Sequence, residues 1–157
     1  NIGSDNPRVG LLNIGEESKK GTKEIQRAYQ ILSEQGKEDG QLLHFVGNIE
    51  ARDIFRGHID VLVTDGFSGN VLLKASEGIS SFIFDFLKKK LKKSDEVLQK
   101  LQSRFNYAEY PGAILCGVDG VVIKCHGDAT PLALLNCIKG AHHLLQRHFL
   151  DQLKSEC

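Results

Sequence analysis

Two hydrophobic patterns alternate along this chain. Short apolar runs at Arg8-Val-Gly-Leu-Leu-Asn-Ile-Gly, Leu42-Leu-His-Phe-Val-Gly and Asp60 to Thr64 read as buried strands, bounded by glycine or polar residues. Between the first two, Thr22 has the chemistry of an N-cap. Ile25, Ala28, Tyr29, Ile31 and Leu32 then recur at helical spacing until Gly36. Asn48 to Gly57 reads as a short helical turn. Strands alternating with helices at these spacings predict an α/β fold, a mainly parallel sheet with helices on its faces.

The next pattern is longer. From about Asn70 to Lys93, Leu72, Ala75, Ile79, Phe82, Ile83, Phe86 and Leu87 form a wide apolar stripe, with Leu73, Phe84 and Leu91 on its flank. Such a surface needs cover, from the rest of one domain or from a second subunit. Lys74, Glu77, Ser81, Asp85, Lys88 and Lys92 form the solvated face. After the run Lys88-Lys-Lys-Leu-Lys-Lys93, Ser94 caps a segment carrying Val97, Leu98, Leu101 and Phe105, which predicts a projecting helical hairpin over about 70–107. Ala113 to Gly117 and Gly120 to Cys125 flank an Asp-Gly turn and read as an antiparallel hairpin. One final helix is expected to carry Leu132, Leu135, Ile138, Ala141, Leu144, Leu145 and Phe149, with Pro131 in its first turn and Thr130 or Asp128 as cap.

Candidate chemistry sits where strands hand over to helices. Ile59 to Gly78 is a strand, a turn with two glycines and a helix start, the layout that places helix N–H groups at an anion in parallel sheets. His126-Gly-Asp-Ala-Thr130 repeats the layout. Ser68, Gly69 and Asn70 would supply donors, Lys74 a positive charge, and His126 a donor or proton near neutral pH. Such a set suits a phosphate and an oxyanion if the two junctions share a ligand. The plainer reading is that the glycines serve turns, Ser and Asn cap helices, and His126 satisfies local backbone. Short motifs alone leave both open. No glycine-rich nucleotide fingerprint is present, and His142-His143 lack partners at metal-ligand spacing, so neither cofactor nor metal is expected.

Composition adds bounds. At 157 residues and 41% hydrophobic, the chain suits one α/β domain, and its zero formal charge gives no pointer to nucleic acid. No apolar run approaches the roughly 18 residues of a membrane span. Cys116, Cys125, Cys137 and Cys157 show no paired spacing, which suits reduced cysteines and a cytoplasmic setting. The absence of methionine and an opening like the interior of a loop lead us to expect part of a longer protein.

With those residues in view, the chain resembles the C-terminal half of the PlsX-type phosphate acyltransferases, acyl-acyl-carrier-protein:phosphate acyltransferases of phospholipid synthesis. The resemblance is carried by Arg8-Val-Gly-Leu-Leu-Asn-Ile-Gly-Glu-Glu, Phe45-Val-Gly-Asn-Ile-Glu-Ala-Arg-Asp-Ile, Asp60 to Lys74, Phe105-Asn-Tyr-Ala-Glu-Tyr and Val121-Val-Ile-Lys-Cys-His-Gly-Asp. These segments run in family order over nearly the whole of residues 1–157, and the family's N-terminal half is not among them.

The resemblance implies a three-layer α/β/α fold similar to the isopropylmalate dehydrogenase and phosphotransacetylase group. It implies a cytoplasmic homodimer, peripheral on the inner face of the cell membrane, and transfer of a fatty acyl group from acyl carrier protein to inorganic phosphate. Phosphate is then its own nucleophile, so positioning and oxyanion stabilisation carry the chemistry. Ser68, Gly69, Asn70 and Lys74 become the expected phosphate or oxyanion contacts. His126 becomes the proton donor to the leaving thiolate or an added phosphate ligand, and Asp65 a group that orients one of these. Gly127, Asp128, Glu50 and Arg52 are further cleft candidates.

Acyl carrier protein is acidic, which makes Lys88, Lys89, Lys92, Lys93 and Arg104 its expected docking surface. The hairpin is mostly lysine and polar, so any membrane contact would be basic residues on anionic lipid. The alternatives are a phosphotransacetylase-like enzyme using acyl-coenzyme A, and a non-catalytic dimerisation and carrier-binding module.

Overall fold

A computed structural model describes residues 6–36, 43–90, 100 and 112–156. The chain divides into two compact units, Asn1–Ser76 and Glu77–Cys157.

The first unit is built on a parallel sheet of three strands, β1 (Arg8–Asn13), β2 (His44–Glu50) and β3 (Val61–Val63), in the order β2-β1-β3. The α/β expectation holds. The central strand is the most buried of the three, and its Val9 and Leu11 are shielded from solvent. Helix α1 (Lys23–Gln35) starts where the sequence places it, with Thr22 Oγ1 accepting the Ile25 N–H at 3.4 Å, and it ends at Gly36. It lies against β2, where Tyr29 and Phe45 meet edge to face at 5.4 Å.

The second strand corrects the sequence reading. It was expected to stop at Gly47 and give way to a helical turn, yet it continues to Glu50, and a 3-10 turn forms only at Ile54–Arg56. Gly47 is a bulge, not a stop. Val9 pairs with Phe45 and Gly10 with Gly47, so Val46 is the inserted residue, and Gly47 takes φ 99°, where glycine is favoured. Beyond the bulge Asn48 is buried, and Glu50 comes to lie beside Asn13. At the opposite end of the sheet, Arg8 clamps Asp60 with Nε to Oδ2 at 2.9 Å and Nη2 to Oδ1 at 3.0 Å.

Helix α2 (Gly66–Lys90) follows β3 and begins a turn earlier than expected. Its half-buried line is Leu72, Ser76, Ser80, Phe84 and Leu87. Ile79, Phe82, Ile83 and Phe86, the heart of the predicted stripe, are 47–71% exposed, and Phe84 is half-buried where the sequence put it on the flank. The second arm of the predicted hairpin lies outside the described residues, apart from Lys100.

In the second unit, β4 (Ala113–Leu115) and β5 (Val122–Lys124) pair antiparallel, as the Asp-Gly turn predicted. Helix α3 (Pro131–Gln146) opens with Thr130 Oγ1 accepting the Ala133 N–H at 3.2 Å and with Pro131 in its first turn. It lies against β5 and carries the buried Ala133 and Cys137. The single final helix does not hold. The chain breaks at His148, which takes φ 52°, and restarts as α4 (Phe149–Glu156). The Arg147 and His148 N–H groups close the last turn on the carbonyls of His143 and Leu145, both at 3.1 Å. Among the described residues no helix is long and apolar enough to cross a membrane.

Candidate functional site

The carboxyl ends of three parallel strands make one edge of the first unit, the place where ligands bind in such sheets. β2 delivers Glu50, whose carboxylate meets Arg52 Nε at 2.9 Å. Asp53 also reaches that nitrogen, at 3.5 Å, and holds Arg56 at 2.9 Å. Arg52 is therefore an exposed guanidinium already facing two carboxylates.

β3 delivers Asp65, which is the N-cap of α2. Its Oδ1 accepts the N–H groups of Phe67 at 2.9 Å and Ser68 at 2.8 Å, and its carbonyl accepts that of Gly69 at 3.0 Å. The Ser68 hydroxyl donates to the same carboxylate. That bond, more than the backbone ones, holds the Asp65 carboxyl below its ordinary value. An internal anion thus occupies the amides that the sequence layout offered to a ligand.

The glycine in this turn answers to packing. Gly69 is buried, and a Cβ there would stand 2.6 Å from Thr64 Cγ2. Asn70 and Lys74, one turn apart on α2, are both exposed and share one face. The structure brings Asp65, Ser68, Gly69, Asn70 and Lys74 onto one turn and helix, with Glu50 and Arg52 at the same sheet edge.

His126, Gly127 and Asp128 form a tight turn in the second unit, between β5 and α3. The Asp128 N–H donates to His126 Nδ1 at 3.3 Å, and the Ala129 N–H to the His126 carbonyl at 3.1 Å. With Nδ1 accepting, the neutral ring carries its proton on Nε2 and can donate from there. All three residues are exposed.

Sequence reasoning passed over the central strand's own loop. Asn13 and Asn48 are 7% and 5% exposed, and both donate to carbonyls of the 14–21 loop. An asparagine closing an apolar strand, Asn13, was the one local signal.

These strand-end features sit within a chain whose relatives are known. A family model described as fatty acid synthesis protein matches residues 1–152. The chain belongs to this family. Among curated proteins it is similar to the phosphate acyltransferase of Pelotomaculum thermopropionicum, 42% identical over 95% of this chain and 45% of the relative. That of Halothermothrix orenii is 42% identical over 99% of this chain and 48% of its own. That of Heliobacterium modesticaldum is 43% identical over 98% and 47%. The chain spans about half the length of the curated relatives it matches.

Of the basic positions expected to dock a partner, Lys88 and Lys89 are exposed at the end of α2. Lys92, Lys93 and Arg104 lie outside the described residues. Cys116, Cys125 and Cys137 are free thiols.

Proposed function

We propose that the full-length protein is an acyltransferase of phospholipid synthesis, moving a fatty acyl group from acyl carrier protein to inorganic phosphate. The observation that carries this reading is the match, across nearly the whole chain, to relatives named phosphate acyltransferase. The strand-end edge supports it by setting the exposed Asn70 carboxamide and Lys74 ammonium beside a capped helix.

In this reading a phosphate oxygen attacks the thioester carbonyl carbon, the C–S bond breaks, and acyl phosphate leaves with the thiolate taking up a proton. Because Asp65 holds the amides of Phe67 and Ser68, the phosphate is met chiefly by side chains, the Asn70 carboxamide and the Lys74 ammonium. Ser68 reaches it by exchanging its bond to Asp65, and Gly69 lets α2 approach Thr64 closely enough to set the angle. His126 protonates the leaving thiolate from Nε2, with Gly127 and Asp128 shaping its turn. Glu50 and Arg52 border the cleft. No cofactor enters the scheme, since positioning and electrostatics carry acyl transfer to a ready nucleophile.

The same reading extends to the whole molecule. The fold is the three-layer α/β/α architecture of the isopropylmalate dehydrogenase and phosphotransacetylase group, with a projecting helical hairpin. The protein is a homodimer joined through the exposed stripe of Ile79, Phe82, Ile83 and Phe86. Acyl carrier protein docks on Lys88, Lys89, Lys92, Lys93 and Arg104. The enzyme is cytoplasmic, with basic residues touching anionic lipid at the inner face of the membrane.

The test is acyl transfer by the full-length protein. Asn70→Ala and His126→Ala each lower acyl-phosphate formation by at least about tenfold, and near-normal turnover in both rejects the site. Acyl carrier protein and coenzyme A thioesters, compared as donors, decide between the proposed enzyme and a phosphotransacetylase-like one.

A further inference from the structure

The loop leaving the central strand is held by carboxamides from three elements. Asn13 Nδ2 donates to the Lys20 carbonyl at 3.1 Å, and Asn48 Nδ2 to those of Glu16 at 3.4 Å and Glu17 at 2.9 Å. Gln26 Nε2, from α1, donates to Lys19 at 2.8 Å and Gly21 at 3.2 Å. Five carbonyls of one surface loop therefore end on side-chain amides. Connecting loops are ordinarily the least fixed backbone of a domain, and this one stands out against that rule. The fixation even carries a cost, because Asn48 Oδ1 is buried with no hydrogen-bond partner among the described residues.

The side chains are left outward. Glu16, Glu17, Ser18, Lys19 and Lys20 are all exposed. Lys20 is the most constrained of them. Its N–H donates to the Glu17 carbonyl at 3.0 Å and its own carbonyl accepts from the buried Asn13, so both of its backbone groups are fixed. Its stem is laid down as well. A Cβ on the buried Gly15 would stand 3.1 Å from Lys20 Cγ and 3.4 Å from Cε, so the chain to the ammonium lies across Gly15, with the Glu17 carboxylate alongside. A lysine normally loses much rotamer freedom when it binds an anion, and here part of that ordering is already done. The loop leaves the sheet between the strand ends that deliver Glu50 and Asp65.

We propose that Lys20 binds a phosphoryl group in the acyl-transfer reaction, and that Asn13, Gln26 and Asn48 are positioning residues that present it. This rests on the functional reading above. Two sources share the chemistry: inorganic phosphate, and the phosphodiester of the acyl carrier's prosthetic arm.

The test is steady-state kinetics of the full-length protein with each substrate varied in turn, alongside phosphate binding followed by 31P NMR. Lys20→Gln is expected to raise one KM by about tenfold or more and leave kcat within about threefold. A rise confined to phosphate, with weaker phosphate binding, assigns free phosphate, and a rise confined to the acyl donor assigns the phosphodiester. Lys20→Arg recovers part of the loss. Gln26→Glu, which removes both donors from a half-buried site, is expected to raise the same KM and to add little when combined with Lys20→Gln, because both act through one group. Full additivity in the double variant overturns the positioning role. Unchanged kinetics and phosphate binding in Lys20→Gln, beside an active wild type, overturn the inference alone. A wild type without phosphate-dependent turnover overturns the functional reading instead.

Discussion

The carboxylate of Asp65 accepts the backbone N–H of Ser68 at 2.8 Å, so the positive end of α2 is filled from within the chain. Any anion brought to this strand end would meet a helix whose leading amides are already taken. Asp65→Ala should lower the melting temperature by exposing those amides, and Asp65→Asn should restore most of it, since asparagine caps about as well as aspartate. Thermal unfolding of the three proteins checks this. Equal melting temperatures would mean that the cap contributes nothing to stability.

A second carboxylate sets the acid limit. The Arg8 guanidinium, bonded to both oxygens of Asp60, holds that carboxyl down to about 2 from an ordinary 3.8. A carboxylate lowered in the folded state adds stability that is fully present above its unfolded value and is lost as pH falls through the folded one. The loss therefore falls between about pH 4 and pH 2. In urea titrations across that window Asp60→Asn should flatten the pH dependence. The pair is partly exposed, so added salt should shrink the difference. A wild-type midpoint that does not move with pH across this range would contradict the assignment.

Gly69 should resist enlargement. Because a Cβ there would stand 2.6 Å from Thr64 Cγ2, Gly69→Ala is expected to cost about 1–3 kcal/mol of stability through overpacking. Thr64→Ser removes the offending methyl and should recover most of that loss in the double variant. Chemical denaturation of the single and double variants measures it. A Gly69→Ala protein as stable as wild type would show that α2 shifts freely on β3.

Much of this architecture was legible because local chemistry and tertiary structure agree. Thr22 and Thr130 cap the helices they precede, and the Asp-Gly turn joins an antiparallel pair, as read. The misreadings have specific causes. Gly47 was taken as a strand end, but glycine also serves a bulge, and only the register with β1 tells the two apart. The start of α2 was placed at Asn70 because Gly66 and Gly69 looked like a turn, whereas Asp65 caps a helix that contains both. The break at His148 has neither glycine nor proline to announce it. Position along the sequence was enough to put Asp65, Asn70 and Lys74 at one strand-to-helix junction and His126 at another. The carboxamide clamp on the 14–21 loop could not, because Asn48 meets Glu17 across 31 residues of sequence.

The basic end of α2 predicts a salt effect. If Lys88, Lys89 and their neighbours dock the acidic carrier protein, the KM for acyl carrier protein should rise steeply with ionic strength while the KM for a short acyl-pantetheine donor changes little. Charge-reversal of Lys88 and Lys89 together should reproduce the effect at low salt. A carrier KM indifferent to salt would remove this surface from the account.

The central claim, acyl transfer to phosphate, is tested most directly by trapping the product. Full-length protein is mixed with acyl carrier protein thioester, with and without inorganic phosphate, and acyl phosphate is captured with hydroxylamine while free thiol is counted. The account predicts thiol release that depends on phosphate and is matched by trapped acyl group one for one. Thiol released at the same rate without phosphate, or released with no acyl phosphate captured, would contradict it.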